Sequence, residues 1–311
     1  MKTAFLFPGQ GSQYIGMLNE FDRPEEVGRI EEAGDILEIN LLSMTRNEPP
    51  GALDLTHWTQ PVILVASVLA LGRIRETVSP DIVLGHSLGE YSALVAAGAM
   101  MFSDAVRLVH LRGRFMQMAV PEGEGLMAAV LGPEREQIER VLERVRKENQ
   151  GIVSVANDNC PGQCVIAGSR PSVQRAIDLL KEAGVRKVII LPVSVPSHTS
   201  LMHRAAQEMK TLLAGVAVGP LEIPIIPNVT AVPIGPGQRA EEVRDLLVRQ
   251  MESPVEWSRS MAAALAGGVQ RCIEVGPGSV LTGLGKRIER GMEALSQKIV
   301  WESTDRTKEG S

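Results

Sequence analysis

The sequence predicts an α/β fold with a mostly parallel sheet and a second, smaller unit inserted into it. Two short apolar runs, residues 3–7 and 80–85, have the length of buried strands, and each leads into a glycine-containing turn. Strand, turn and helix in this order are typical of a parallel sheet with helical connections. The length of 311 residues is also near the size at which one hydrophobic core stops growing.

The first third of the chain alternates strands and helices. The apolar stretch 60–77 predicts a helix, and the strand at 80–85 follows it. After a sharp turn at 86–89, the small residues from Glu90 to Ala97 predict a second helix. Ser103 is expected to be the N-cap of a third helix, which ends at Met118.

The middle of the chain predicts a different order of elements. Strand-like apolar runs alternate with two segments whose apolar residues have helical spacing. The predicted elements follow one another as β-α-β-β-α-β: 126–131, 133–147, 152–156, 164–167, 173–183 and 185–195. This order is that of a ferredoxin-like unit.

The last third predicts mainly helices. Its expected elements are helices at 199–214, 240–251, 255–266 and 279–291, a proline-rich extended stretch at 220–236 and a strand at 270–275. We therefore predict a large domain formed by 1–122 and 195–295, a ferredoxin-like subdomain at 123–194, and a polar tail at 296–311.

The composition argues against several classes of function. The net charge is −5 and aromatic residues make up only 3%, so nucleic-acid binding is not expected. The three cysteines, Cys160, Cys164 and Cys272, are too few for a disulfide framework and lack the spacing of a zinc site. No run approaches the ~18 apolar residues of a membrane span, and the apolar run at 3–7 is too short for a signal peptide. We expect a soluble, cytoplasmic protein without a metal site.

The strongest motif is Gly85-His86-Ser87-Leu88-Gly89, which matches G-x-S-x-G between a predicted strand and a predicted helix. A strand that reverses into a helix over so few residues places Ser87 in a strained turn, with its hydroxyl exposed. The amide of Leu88 follows at the start of the helix, where a developing oxyanion can be stabilised. Ser87 is therefore the predicted nucleophile, and it needs a base.

His198 is the favoured base among five histidines. It follows the predicted strand at 185–195, and the carboxyl ends of strands are where α/β folds assemble their sites. The other histidines have more ordinary explanations in a loop, beside the nucleophile, or on helices: His57, His86, His110 and His203. The group that orients His198 stays open, since Asp245 and Glu252 are both plausible by position and neither is marked by its context.

Motifs spread over the chain resemble those of malonyl-CoA:acyl carrier protein transacylases. The similarity extends from residue 3 to about residue 290. The motifs are Phe7-Pro8-Gly9-Gln10-Gly11-Ser12-Gln13, Thr59-Gln60-Pro61, Gly85-His86-Ser87-Leu88-Gly89-Glu90-Tyr91, Arg112-Gly113, Asn159, Val195-Pro196-Ser197-His198, Gln250 and Glu274-Val275-Gly276-Pro277-Gly278. The resemblance implies an α/β-hydrolase-like core with a ferredoxin-like insertion.

The resemblance also implies a role for each matched residue. Ser87 would carry the acyl group, and His198 would be its base. The backbone carbonyl of Gln250 would orient His198, in place of a carboxylate. The backbone amides of Gln10 and Leu88 would form the oxyanion hole.

Two further residues would bind the substrate. Arg112 would bind the free carboxylate of the malonyl group, for which a guanidinium has the matching bidentate geometry. Without the resemblance, Arg112 is not distinguished from Arg107 and Arg114 on the same predicted helix. Asn159 would line the cleft, although an Asn before Cys-Pro-Gly is also common in turns.

The resemblance implies transfer of malonyl from malonyl-CoA to the phosphopantetheine thiol of an acyl carrier protein, in support of fatty acid biosynthesis. No cofactor is expected, and we predict a monomer. Two alternatives remain at this point. One is a trans-acting acyltransferase that serves a polyketide synthase; the other is a serine thioesterase or esterase, which would normally have an Asp or Glu between its serine and its histidine.

Overall fold

Two sheets organise the chain in a computed structural model that describes residues 1–149, 151–193 and 195–298. The strands are β1 Lys2–Phe7, β2 Ile82–Gly85, β3 Gly125–Leu131, β4 Val153–Cys160, β5 Gln163–Ser169, β6 Lys187–Ile190, β7 Ile225–Ile226, β8 Val269–Glu274 and β9 Glu293–Ser296. The helices are α1 Pro24–Leu37, α2 Leu41–Thr45, α3 Thr56–Arg75, α4 Gly89–Ala96, α5 Phe102–Ala119, α6 Arg135–Asn149, α7 Arg170–Glu182, α8 His203–Ala214, α9 Ala240–Gln250, α10 Trp257–Ala266 and α11 Val280–Ile288.

The larger sheet is parallel, with the order β7-β2-β1-β8-β9. Its strands are short, and the neighbouring strands β1 and β2 are mainly apolar, because packing on both faces of the sheet leaves no side for water there. In β1, the residues from Thr3 to Phe7 are all buried. Phe7 pairs with Gly85, so β1 and β2 end at the same edge of the sheet and the loops after them meet there.

The smaller sheet is antiparallel, with the order β4-β5-β3-β6. Helices α6 and α7 pack against it and share a core with its strands, in which Ile138, Leu142, Ile177 and Leu180 are buried. The helical spacing of these apolar residues is what predicts both helices from the sequence. The structure therefore confirms an α/β fold with a mostly parallel sheet and a second unit.

Several predicted boundaries were wrong. Helix α5 begins at Phe102 with Met101 as its N-cap, so Ser103 lies inside the first turn. The strand predicted at 185–195 is only Lys187–Ile190: the Leu191 amide still donates to the Met127 carbonyl at 3.0 Å, a bend follows at Pro192, and residue 194 lies outside the described residues. His57 is in the first turn of α3 and not in a loop.

The C-terminal strand β9 was not predicted, and residues 293–296 were divided between the large domain and the tail. Parallel pairing of Cys272 with Ala294 brings β9 to the edge of the larger sheet, beyond β8. The side chain of Gln297 is buried and accepts a hydrogen bond from the amide of Gly276 at 2.8 Å. The rest of the predicted tail, residues 299–311, lies outside the described residues.

No helix in the described part of the chain is both long enough and apolar enough to cross a bilayer. Likewise, no cluster of metal-ligating side chains occurs among residues 1–149, 151–193 and 195–298.

Candidate active site

The G-x-S-x-G motif forms the predicted turn between β2 and α4. Ser87 has φ 51°, in the left-handed region that side chains other than glycine rarely adopt. The flanking glycines are required by close packing. A Cβ on Gly85 would lie 2.0 Å from the backbone of Gly89, and a Cβ on Gly89 would lie 2.0 Å from the carbonyl oxygen of Phe7. The turn is therefore pressed against the end of β1, and the hydroxyl of Ser87 faces a cavity.

His198 lies beside Ser87, although 111 positions separate them. Its Nε2 is 2.8 Å from the Oγ of Ser87, and its Nδ1 is 2.7 Å from the backbone carbonyl oxygen of Gln250. Because a carbonyl can only accept, Nδ1 carries the proton and donates it to Gln250. Nε2 of the neutral imidazole is then the acceptor for the Ser87 hydroxyl, which is the geometry of a serine with its general base.

The surroundings of His198 keep its imidazole neutral. The side chain is buried, and burial together with the nearby charge of Arg112 lowers the pKa of His198 to about 3. The hydrogen bond to Gln250 opposes this shift only in part. His198 can therefore accept a proton at neutral pH.

Arg112 lies on α5, and its side chain points toward Ser87. Its guanidinium donates to the side-chain oxygen of Gln60 at 2.8 Å, to that of Gln250 at 3.0 Å, and to the Oγ of Ser87 at 3.2 Å. The side chain is 1% exposed, whereas Arg107 and Arg114 on the same helix are exposed. Burial is thus what separates Arg112 from its neighbours.

All three hydrogen-bond partners of Arg112 are neutral. Among the described residues, no carboxylate lies within 4.0 Å of its guanidinium nitrogens. Burial lowers the pKa of Arg112, although nearby Tyr91 and Glu90 oppose the shift, and a buried cation without an anion in direct contact is costly. The site therefore favours a ligand that brings a negative charge to the guanidinium, next to the Ser87 hydroxyl.

Gln250 and Glu90 connect these groups behind the cavity. The side-chain nitrogen of Gln250 donates to a carboxyl oxygen of Glu90 at 2.8 Å and to the backbone carbonyl of Ser87 at 2.9 Å. Burial raises the pKa of Glu90 to about 7, although hydrogen bonds from Gln250 and Asn228 and the charge of Arg112 oppose the shift. Gln250 thus meets His198 through its backbone and Arg112 through its side chain.

Gln10 and Leu88 line the cavity from the loops that follow β1 and β2. Neither backbone amide donates to another group in the part of the chain that the structure describes. Two free N–H groups beside the Ser87 hydroxyl are donors of the kind that an oxyanion requires. The cavity has a volume of about 350 Å³ and is bounded on its far side by residues of the smaller sheet, among them Met127 and Val165.

Asn159 also lines the cavity, from β4, and its Oδ1 is 2.9 Å from Nε2 of His86. The two carboxylates that the sequence left open as partners of His198 make other contacts in the structure. Asp245 pairs with Arg249 at 3.4 Å on the exposed face of α9. Glu252 lies 3.0 Å from the ring of His203, the exposed first residue of α8.

Two residues of the site, Glu90 and Asn228, had no functional role in the prediction from the sequence. Glu90 was part of the nucleophile motif but had no role, and Asn228 was not singled out at all. Asn228 lies in the stretch 220–236, in the loop after β7, and is fully buried. The only available signal was an asparagine between apolar residues after a short strand, and this pattern is too common to identify a site.

The chain matches known proteins over nearly its whole length. Residues 4–302 match the acyl transferase domain family. A malonyl CoA-acyl carrier protein transacylase of Bacillus subtilis (strain 168) is 42% identical over 298 residues, which cover 95% of this chain and 93% of that protein. A crystal structure of an acyl carrier protein S-malonyltransferase from Vibrio cholerae has a TM-score of 0.89 and 42% identity, and the match covers 95% and 96% of the two chains.

A further solved structure is a malonyl-transacylase in complex with its type II polyketide synthase acyl-carrier protein. It has a TM-score of 0.89 and 42% identity, with 95% of this chain and 94% of that chain covered. The fold, the serine–histidine–arginine site and the domain match together define an acyltransferase. Within that class, the chain belongs to the malonyl CoA-acyl carrier protein transacylase family. The resemblance found in the sequence motifs is thereby confirmed.

Proposed function

We propose that this chain transfers the malonyl group of malonyl-CoA to the phosphopantetheine thiol of an acyl carrier protein, and so supplies fatty acid biosynthesis. The observation that carries the proposal is Arg112, a buried guanidinium without a carboxylate partner, 3.2 Å from the Ser87 hydroxyl. A malonyl thioester brings a carboxylate to that position, whereas an acetyl thioester does not. The guanidinium can bind this carboxylate in a bidentate manner.

The proposed chemistry proceeds through a malonyl-Ser87 intermediate. Ser87 Oγ attacks the thioester carbonyl carbon while its proton moves to Nε2 of His198. The amides of Gln10 and Leu88 donate to the oxyanion of the tetrahedral intermediate. When the C–S bond breaks, the leaving sulfur of coenzyme A takes the proton from His198.

The second half of the reaction is the reverse of the first. The carrier's thiol gives its proton to His198 and attacks the carbonyl carbon of malonyl-Ser87. The new thioester forms as the ester bond between the carbonyl carbon and Ser87 Oγ breaks, and Ser87 Oγ takes the proton back from His198. These steps need only side chains and amides of the chain, with malonyl-CoA and the phosphopantetheinylated carrier as substrates. The Gln250 carbonyl supports the imidazolium less strongly than a carboxylate would, which suits a base that must release its proton in both halves.

We further propose that the smaller sheet and its helices form a ferredoxin-like subdomain at 123–194, inserted into an α/β-hydrolase-like domain of 1–122 and 195–295. The strand order β4-β5-β3-β6, with helices after the first and third strands in sequence, supports this topology. The insertion supplies one wall of the cavity, including Met127 and Val165.

The test compares malonyl and acetyl transfer in Arg112→Ala, with Arg114→Ala as the matched control on the same helix. We expect kcat/KM for malonyl-CoA to fall by about 100-fold in Arg112→Ala, since charge-assisted hydrogen bonds worth about 3 kcal/mol are lost. Acetyl transfer should be unchanged or should rise. The ratio of the two activities cancels any loss of folded enzyme, and equal losses would contradict the carboxylate-binding role.

Intact-protein mass spectrometry tests the intermediate. The wild-type chain should gain one malonyl group from malonyl-CoA and lose it to a phosphopantetheinylated carrier, and Ser87→Ala should gain none. Release of free malonate at the same rate without a carrier would instead favour the thioesterase alternative.

A polyketide carrier is the second candidate acceptor, and the complex of a similar transacylase with a type II polyketide synthase carrier supports it. The two acceptors differ only in the protein that presents the thiol, so the site itself does not separate them. The measurement is kcat/KM for transfer to a fatty-acid carrier and to a polyketide carrier, both phosphopantetheinylated. A preference of at least tenfold would assign the pathway.

A further inference from the structure

The side chain of Asn228 bridges the two ends of the strained Ser87 turn. Its Oδ1 accepts a hydrogen bond from the Ser87 amide at 2.7 Å, and its Nδ2 donates to the Gly85 carbonyl oxygen at 2.6 Å. The side chain reaches this place because β7, which ends two residues earlier, pairs with β2. The pairing of β7 with β2 therefore places Asn228 beside the turn.

These two hydrogen bonds satisfy groups that neither the sheet nor the helix can pair. Gly85 is the last residue of β2, the neighbouring strand β7 has already ended at Ile226, and α4 begins only at Gly89, so the Gly85 carbonyl and the Ser87 amide lie between these elements. A buried backbone group without a partner costs about 1–3 kcal/mol. With both groups unpaired and φ positive at Ser87, the chain around the nucleophile would relax to a different conformation.

Asn228 is also linked to the base. Its backbone amide donates to Oε2 of Glu90 at 3.2 Å, and the same oxygen accepts from the side chain of Gln250 at 2.8 Å. The backbone carbonyl of Gln250 then accepts from Nδ1 of His198 at 2.7 Å. A continuous set of buried hydrogen bonds thus runs from the nucleophile turn to the imidazole.

We propose that Asn228 is a positioning residue, which fixes the Ser87 turn and holds it in register with His198. This inference rests on the proposed malonyl transfer through Ser87. Asn228 touches no reacting atom, and the Arg112 side chain has no contact with it among the hydrogen bonds of the described residues. Its loss should therefore slow acylation without altering the choice between malonyl and acetyl groups.

The test is rapid-quench acylation of full-length Asn228→Ala by malonyl-CoA, which separates the rate constant from the amplitude. Asn40→Ala is the matched control, because it removes a single asparagine bond to a backbone amide at the N-cap of α2, away from the cavity. We expect the acylation rate constant of Asn228→Ala to fall on the order of 100-fold, as for a displacement of about 1 Å at a nucleophile. The amplitude, the KM for malonyl-CoA and the malonyl-to-acetyl ratio should stay near the wild-type values.

A purely structural role gives the opposite result. Partial unfolding lowers the amplitude and leaves the rate constant of the remaining folded enzyme unchanged, and that outcome would overturn the inference. So would a rate constant within twofold of the wild type. The control Asn40→Ala should lose stability by about 1 kcal/mol and keep its acylation rate constant.

Asn228→Asp provides a second variant if the alanine variant does not fold. It keeps an oxygen for the Ser87 amide and places a second oxygen against the Gly85 carbonyl, so only one of the two bonds is lost. We expect at least a tenfold fall in the acylation rate constant, and an unchanged value would overturn the inference. If wild-type enzyme itself forms no malonyl-Ser87, the proposed function fails, whereas equal rates in wild type and variants refute the role of Asn228 alone.

Discussion

Glu90 is the residue whose ionisation is most sensitive to its place in the fold. It is 2% exposed, and one carboxyl oxygen accepts both of its hydrogen bonds, from Gln250 and from the amide of Asn228. Because burial raises the pKa of Glu90 to about 7, the folded chain holds the proton more tightly than an unfolded chain, where the ordinary value is 4.5. A neutral glutamine oxygen could accept the same two bonds.

Glu90→Gln is therefore expected to remove a pH dependence of stability. In the wild type, the contribution of protonated Glu90 to the free energy of unfolding is complete below pH 4.5 and is lost as the pH rises to about 7, with a total of about 3 kcal/mol. The stability of Glu90→Gln relative to wild type should rise by a similar amount between pH 4.5 and pH 8. Urea unfolding at both pH values measures this difference. Glu143→Gln, exposed on α6, is the control, and parallel pH curves for wild type and Glu90→Gln would contradict the expectation.

At the scale of elements, the site depends on backbones that approach one another closely. Helix α4 begins against the end of β1, where Gly89 faces the carbonyl of Phe7. Helices α3 and α5 also cross closely, because a Cβ on Gly113 would lie 2.5 Å from the Cα of His57. This crossing brings Arg112 of α5 to Gln60 of α3. Small residues at these contacts therefore set the positions of Ser87 and of Arg112.

Gly89→Ala should be strongly destabilising, because its Cβ would lie 2.0 Å from a backbone oxygen that cannot move without shifting β1. We expect a loss of about 3 kcal/mol or more, within the range for overpacking and backbone strain. Gly72→Ala is the matched control, since its Cβ meets nothing within 4 Å on the exposed face of α3. It should gain about 1 kcal/mol from helix propensity. Chemical denaturation of both variants measures the effects, and a neutral Gly89→Ala would show that the turn can relax.

At the scale of the whole molecule, the two sheets are joined next to the cavity. The backbone of Val255, just before α10, exchanges hydrogen bonds of 2.9 Å with Ala156 and Asp158 of β4. Arg135, at the start of α6, pairs with Glu256 at 2.6 Å and with Asp158 at 3.2 Å. The same strand carries Asn159, which lines the cavity. The attachment of the smaller sheet therefore determines the shape of the site.

Arg135→Met should weaken this attachment. The substitution keeps much of the side-chain volume but leaves Glu256, at 9% exposure, with only the more distant guanidinium of Arg259, at 3.8 Å. We expect a loss on the order of 2 kcal/mol, between the limits for exposed and for buried ion pairs. Arg144→Met on the same helix breaks an exposed pair with Glu148 and should cost less than about 1 kcal/mol. Equal effects on urea unfolding would show that the Arg135 contacts add nothing specific to the junction.

The features that the sequence predicted are those that depend on local order along the chain. Apolar runs of strand length, helical periodicity and the G-x-S-x-G turn predicted most elements and the place of Ser87, because neighbouring residues set backbone conformation. The position of His198 after a strand favoured it as the base. The motif resemblance added Arg112, the Gln250 carbonyl and the amide of Gln10, which residue patterns alone did not separate from their neighbours.

The contacts between distant groups, and the burial of individual side chains, depend on how the elements pack and could not be predicted from local patterns. Arg112 differs from Arg107 and Arg114 because the α3–α5 crossing excludes water from it alone. Asn228 reaches Ser87 because β7 pairs with β2. Residues 293–296 form β9 because they pair with β8 at the edge of the larger sheet. Strand pairing and packing bring together residues more than a hundred positions apart. The free energy of such contacts depends on both partners, so the local sequence around either one does not predict it.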